Sequence, residues 1–208
     1  MEITKNIDRA VEVLREGGTI AHPADTCYGL AADFGNEESL RKLQQIKGRD
    51  GDKPMSIMLP PAYKMKLGEY VLCNEKMRNV CERLFPGPVT IVLPKGPNIP
   101  TYFFPKIDTI GMRIPYDMMT DDLLNRFRGP LITTSANLSG EPVCCTAEDV
   151  RKVFENQEAQ PDLIFDGAVR NHCMPSTVIK VEDEGVRILR EGPITKKQLE
   201  AILGMKIF

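Results

Sequence analysis

Residues 6–30 read NIDRAVEVLREGGTIAHPADTCYGL, and this stretch decides the fold. Ile7, Ala10, Val11 and Leu14 recur at the spacing of one helical face, so residues 6–16 are expected to form an amphipathic helix. Gly17-Gly18 closes it. Thr19-Ile20-Ala21 follows as a short strand, and the polar run PADTCYGL at 23–30 comes directly after it. Polar groups at the end of a strand face the usual ligand crevice of an α/β sheet. The same residues would also serve as a plain turn capped by Asp25 and Thr26.

The alternation continues outward from there. Residues 37–47 repeat the helical pattern through Leu40, Leu43 and Ile46, behind a cap at Asn36, and Met55 to Leu59 read as a buried strand. A helix over 75–85 is stopped by Pro86-Gly87-Pro88, and strands are expected at 89–93 and 110–114. A helix at 119–127 precedes a strand at 131–134. Thr146 caps a helix with acids in its first turn, where the dipole favours them. Strands are expected near 162–165, 177–181 and 186–190. Thr195 and Gln198 form a capping box for a last helix, with Ile194 stapling onto Leu199. This pattern predicts one α/β domain over 1–208, with a twisted, mostly mixed sheet and helices around it. The Pro- and Gly-rich stretch 94–105 reads either as a mobile loop over a site or as a structural crossover.

The chain has 208 residues, 42% of them hydrophobic and 27% charged, a balance that excludes disorder and allows a core without metal or disulfide staples. The formal net charge of -2 argues against a bulk electrostatic grip on nucleic acid, though it leaves room for a local basic pocket. The amphipathic, charged start does not read as a signal peptide, and the apolar runs are strand-sized, too short to span a bilayer. A cytoplasmic setting without membrane contact is therefore expected. Six Cys, at 27, 73, 81, 144, 145 and 173, show no C-x-x-C spacing, and the adjacent pair Cys144-Cys145 suits neither a shared zinc site nor a simple disulfide. All six read as free thiols. The two His, His22 and His172, read as ordinary loop or strand-end residues.

The sequence has no G-x-x-x-x-G-K-[ST] loop, no strand-linked G-x-G-x-x-G and no nucleophile elbow. Any nucleotide must be held in another way. Two further patches offer one. KGRDGDKP at 47–54 sets Lys47, Arg49 and Lys53 on a glycine-containing loop, combining the guanidinium fork and point charges that suit a triphosphate. It would equally make a solvated loop, partly neutralised by Asp50 and Asp52. TTSANLSG at 133–140 ends an apolar strand in a dense set of hydroxyl and amide groups that could line a nucleotide site or cap their own backbone.

In this order the patches resemble the YrdC/TsaC family of threonylcarbamoyl-AMP synthases. The resemblance runs through PADTCYGL at 23–30, KGRDGDKP at 47–54, FPGPVT at 85–90 and GMRIP at 111–115. It continues through TSANLSGEP at 134–142, PSTVI at 175–179 and RILREG at 187–192, nearly the whole chain. Ala24 stands where the family pattern has Thr, and Met58 where some members carry His. The end at residue 208 matches the family's short form. The K-x-R and S-A-N motifs argue for its synthase branch.

The resemblance implies a YrdC-like (DHBP synthase-like) fold with an open concave substrate face. It implies a nucleotidyltransferase that converts L-threonine, bicarbonate and ATP to threonylcarbamoyl-AMP and pyrophosphate. A separate transferase then passes the group to the adenosine next to the anticodon of tRNAs reading ANN codons. Thr26, Tyr28, Arg113, Thr133 and Ser176 would bind threonine. Lys47 and Arg49 would be catalytic and, with Lys53, would hold phosphates. Ser135, Asn137, Arg190 and Thr109 would contact the nucleotide. Mg²⁺ would arrive with ATP, with no dedicated protein metal site. The alternative is a module of the same fold that binds tRNA or double-stranded RNA without chemistry, and weak RNA contact could also accompany synthase activity.

Overall fold

The computed structural model describes residues 1–48, 54–167 and 173–208. In chain order the elements are β1 (Glu2–Thr4), α1 (Ile7–Arg15), β2 (Thr19–His22), β3 (Gly29–Asp33), α2 (Glu37–Ile46) and β4 (Ser56–Met58). A 3-10 turn, Pro61–Lys66, then runs into α3 (Leu67–Tyr70), α4 (Glu75–Leu84), β5 (Val89–Pro94), β6 (Thr109–Arg113) and α5 (Met118–Phe127). The remainder is β7 (Leu131–Ser135), α6 (Ala147–Phe154), β8 (Leu163–Phe165), β9 (Thr177–Glu182), β10 (Gly185–Arg190) and α7 (Lys196–Leu203).

Local chemistry accounts for the helix starts. Asn6 accepts from the backbone of Asp8 and Arg9, and Asn36 does the same for Glu38 and Ser39. Thr146 with Asp149, and Thr195 with Gln198, complete reciprocal capping boxes, so across these four helices six otherwise unpaired first-turn N–H groups find side-chain acceptors.

The described strands form one mixed ten-stranded sheet in the order β1-β8-β2-β3-β7-β4-β6-β5-β9-β10. The pairs β1–β8, β8–β2, β4–β6 and β5–β9 are parallel and the rest antiparallel. β3 lies outside the strands read from sequence. Its residues GLAAD are small and carry no alternation, because β3 is covered on both faces between β2 and β7.

The two faces are covered unequally. Leu30, Ile57, Ile91, Met112, Ile132 and Ile179 point to one side, against α2, α4, α6 and α7. Alternate residues such as Ile20, Ala31, Met58, Leu131 and Leu163 point to the other, against α1 and α5. Those two helices shelter only the β1–β8–β2–β3 side and its border. Over the remaining strands, this second face carries Thr133 and Ser135 on β7, Ser56 on β4, Gly111 on β6, and Thr90 and Val92 on β5. Short side chains there leave a concavity. A Cβ on Gly111 would stand 2.7 Å from Ser56 Oγ and 3.0 Å from Thr90 Cγ2.

The stretch 94–105 is a packed crossover. Phe103 and Phe104 are buried, Phe103 meets Phe34 edge-on at 5.3 Å, and Lys95 Nζ donates to the carbonyls of Phe103 and Phe104. It leaves β5 on the helix-covered side of the sheet, and none of its residues lines the concavity.

Candidate substrate-binding site

The concavity is a hollow of about 340 Å³, within the range of small-molecule sites. Three walls enclose it. The first joins β6 to the turn after β2. Arg113, at the end of β6, donates from Nη2 to Thr26 Oγ1 at 2.7 Å and to the carboxylate of Asp25. The other Asp25 oxygen accepts from the backbone N–H of Tyr116 at 3.1 Å. The Arg113 and Asp25 side chains are only 11% and 7% exposed, so the pair is desolvated and holds its geometry. Arg113 Nε, also buried, has no hydrogen-bond partner.

The second wall joins β5, β9 and β10. Thr90 Oγ1 lies 2.8 Å from Ser176 Oγ. Arg190 donates from Nε and Nη2 to the Ser176 carbonyl at 3.1 and 2.9 Å, and from Nη2 to Ser176 Oγ at 3.1 Å. This clasp fixes a second guanidinium at the rim, beside the exposed side chain of Leu189.

The third wall is the end of β7 and the loop beyond it. Ser135 Oγ donates to Asn137 Oδ1 at 2.6 Å. Behind it Lys47 is wholly buried, and its Nζ donates to Ser135 O at 2.8 Å, Asn137 O at 2.5 Å and Asn137 Oδ1 at 2.7 Å. Tyr28 is also fully buried. The residue borders the hollow, its hydroxyl accepts from Gly167 N–H at 3.1 Å, and its backbone pairs with Ala136 and Cys144.

Among the residues singled out in the sequence, the structure gathers Tyr28, Arg113, Thr133, Ser135, Ser176 and Arg190 around the hollow, with Thr26 bonded to Arg113. Lys47 and Asn137 stand behind the third wall rather than in the lining. Thr109 begins β6 opposite Pro94. Four residues of strand put it roughly 13 Å from Arg113, at the far end, and it is not in the lining. Arg49, Lys53 and His172 lie outside the described residues.

Asp25, Thr90, Ser56 and Gly111 were not among the sequence-derived site residues. Asp25 reads locally as a turn cap, and only its distant partner on β6 reveals its other contact. Thr90 closes the FPGPVT run, and that motif was the available signal. The free-thiol expectation needs a correction. Cys145 and Cys173 are joined in a disulfide, Cα to Cα 5.6 Å, across a sequence separation of 28. The fold brings the segment before α6 against the segment leading to Ser176, a proximity that local Cys spacing cannot show. Cys27, Cys73, Cys81 and Cys144 are free, and burial pushes the Cys144 thiol up to about 12, which keeps it protonated.

Among the described residues, no three His, Cys, Asp or Glu side chains converge as a metal cluster, and no helix is long and apolar enough to cross a membrane.

The sequence and the fold both have relatives among known proteins. A family model described as "Sua5_yciO_yrdC: Telomere recombination" matches residues 12–192. A "Putative threonylcarbamoyl-AMP synthase" of Methanocaldococcus jannaschii is 35% identical over 84% of this chain and 80% of that protein. The "Threonylcarbamoyl-AMP synthase" of Vibrio cholerae is 31% identical over 92% of this chain and 100% of its own. The crystal structure of Pyrococcus abyssi Sua5 complexed with L-threonine superposes with a TM-score of 0.86 at 27% identity, covering all of this chain and 61% of that one. Extensive sequence matches and a shared fold lead to one conclusion: the chain belongs to the Sua5/YciO/YrdC family.

Proposed function

We propose that this chain is a threonylcarbamoyl-AMP synthase working as a single domain, and that the hollow holds L-threonine and ATP. The observation that carries the reading is the pair of positioned guanidinium groups, Arg113 and Arg190, on either side of a hydroxyl-lined concavity. Similarity to proteins named as synthases, and to a Sua5 structure holding L-threonine, supports it.

In this reaction the threonine amine adds to CO2 derived from bicarbonate, forming a C–N bond and releasing a proton. The new carboxylate oxygen then attacks the α-phosphorus of ATP, the bond to the pyrophosphate oxygen breaks, and pyrophosphate leaves. The protein contributes placement and charge stabilisation. Arg113, held by Asp25 and Thr26, presents a donor face to the amino-acid carboxylate. Thr133 and Ser176 complete that pocket, with Tyr28 as its back wall. Arg190 and Ser135 face the nucleotide. Lys47 and Asn137 act through the third wall: the buried ammonium fixes the Ser135–Asn137 backbone that the nucleotide would meet. Arg49 and Lys53 remain candidates for phosphate contact, and the far position of Thr109 argues against a direct one. Mg²⁺ would enter on the triphosphate. The product would pass to a separate transferase acting on tRNA in the cytoplasm.

The test is pyrophosphate release by the purified chain, with ATP, bicarbonate and each amino acid in turn. Release should require all three substrates and respond to threonine. A rate indifferent to threonine would overturn the assignment.

A further inference from the structure

His22 ends β2 directly opposite Gly29 in the β2–β3 ladder, and it is 1% exposed. Its Nδ1 lies 2.8 Å from the Pro23 carbonyl oxygen. A carbonyl can only accept, so Nδ1 carries the ring proton and Nε2 presents a lone pair. Burial above all pulls the ring's pKa down to about 4, outweighing the hydrogen bond to the Pro23 carbonyl; Arg113 lowers it further and Asp117 and Asp25 oppose more weakly, so at neutral pH Nε2 is an acceptor. It is buried and has no hydrogen-bond partner.

Its position gives that orphan a use. A Cβ built on Gly29 would stand 3.1 Å from His22 Nε2 and 3.4 Å from Thr133 Oγ1. Gly29 and Thr133 both line the hollow. The bare glycine therefore brings the hollow to the edge of the imidazole, which lies just beneath the lining. The other polar side chains here differ in kind. Arg113 and Arg190 only donate, and the Ser and Thr hydroxyls either donate or accept. Asp25 is occupied by Arg113 and Tyr116. A neutral group restricted to accepting, buried at a site floor, is matched by a ligand that brings a neutral donor there.

We propose that His22 is the specificity-determining residue for the side-chain hydroxyl of the amino-acid substrate, accepting its hydrogen at Nε2 above Gly29. The proposal rests on the synthase reading and sharpens it. Valine puts a methyl where threonine has the hydroxyl and leaves Nε2 buried and unpaired. Sites built to bond a substrate hydroxyl reject such analogues far more strongly than shape alone allows.

The experiment compares kcat/KM for threonine and valine in pyrophosphate release. The wild type should favour threonine by on the order of 10²-fold or more. His22→Phe should cut that ratio by at least tenfold, mainly by raising KM for threonine, and His22→Asn, which keeps an acceptor, should recover part of it. A ratio unchanged in His22→Phe overturns the proposal. In parallel, ¹⁵N-histidine labelling of the wild type gives only two imidazoles. Saturating threonine should shift the His22 Nε2 resonance and valine should not. A resonance indifferent to threonine overturns the proposal even if His22→Phe fails to fold. Loss of threonine-dependent release in the wild type would instead defeat the synthase reading, with the titration still reporting on His22.

Discussion

The first and third walls of the hollow are built in opposite ways. In the third, Lys47 meets oxygens of Ser135 and Asn137, and Ser135 and Asn137 bond to each other. In the first, Arg113 Nε is buried without a partner, as is His22 Nε2 beneath the adjoining floor, although both residues are otherwise bonded. Buried polar groups cost free energy when unmatched. Under the proposed function the difference separates two roles: the matched wall holds shape, and the unmatched groups keep bonding capacity for substrate.

The strongest way to break this contrast is Lys47→Met. It should strip a donor from buried oxygens and destabilise the fold by about 3 kcal/mol or more, seen as a melting temperature lower by roughly 6–12 °C. A phosphate ligand would behave differently, with melting unchanged and KM for ATP raised. Arg113→Ala should lower kcat/KM for threonine by roughly 10²- to 10³-fold, and steady-state kinetics across threonine concentrations would read it.

His22 supplies a pH test of comparable size. Its folded-state pKa of about 4 lies below the unfolded value near 6.5, so below about 6.5 the unfolded chain binds the extra proton. Stability should fall as pH drops from about 6.5 to about 4, by up to about 3 kcal/mol. Denaturant titrations at several pH values should show that loss in the wild type and a smaller one in His22→Phe. Cys145 and Cys173 tie the loop beyond β7 to the segment before β9. Denatured, unreduced protein should expose four thiols and reduced protein six, and reduction should cost roughly 2–4 kcal/mol. Six thiols without reductant would return the pair to the free state that a reducing cytosol favours. The smallest effect belongs to Ser176→Ala, which removes one oxygen from the Thr90–Arg190 clasp and should lower kcat/KM about tenfold.

Legibility in the sequence followed the range of the interactions. Asn36, Thr146 and Thr195 act within three residues, and their caps appear in the structure as read. The helical periodicity of α1 was equally local. β3 was hidden because two-sided burial of GLAAD erases alternation. Site residues separated along the same line. Arg113, Ser135 and Ser176 sit in recognisable motifs and line the hollow. Lys47 reads from its loop as a phosphate-holding cation or as part of a solvated charged loop, and only acceptors 88 and 90 positions away explain its burial. Asp25 depends on a contact 88 positions away, and the Cys145–Cys173 pair on one across 28. Conversely, Thr109 shares a strand with Arg113 yet stands at its far end, because membership of one strand does not imply proximity to one site.

The most direct measurement of the central claim follows the carbon. Purified chain, L-threonine, ATP and ¹³C-bicarbonate should yield, by mass spectrometry, one adduct that contains threonine and AMP and carries a single ¹³C. Pyrophosphate release without that labelled adduct, or an adduct whose mass does not change with the bicarbonate isotope, would contradict it.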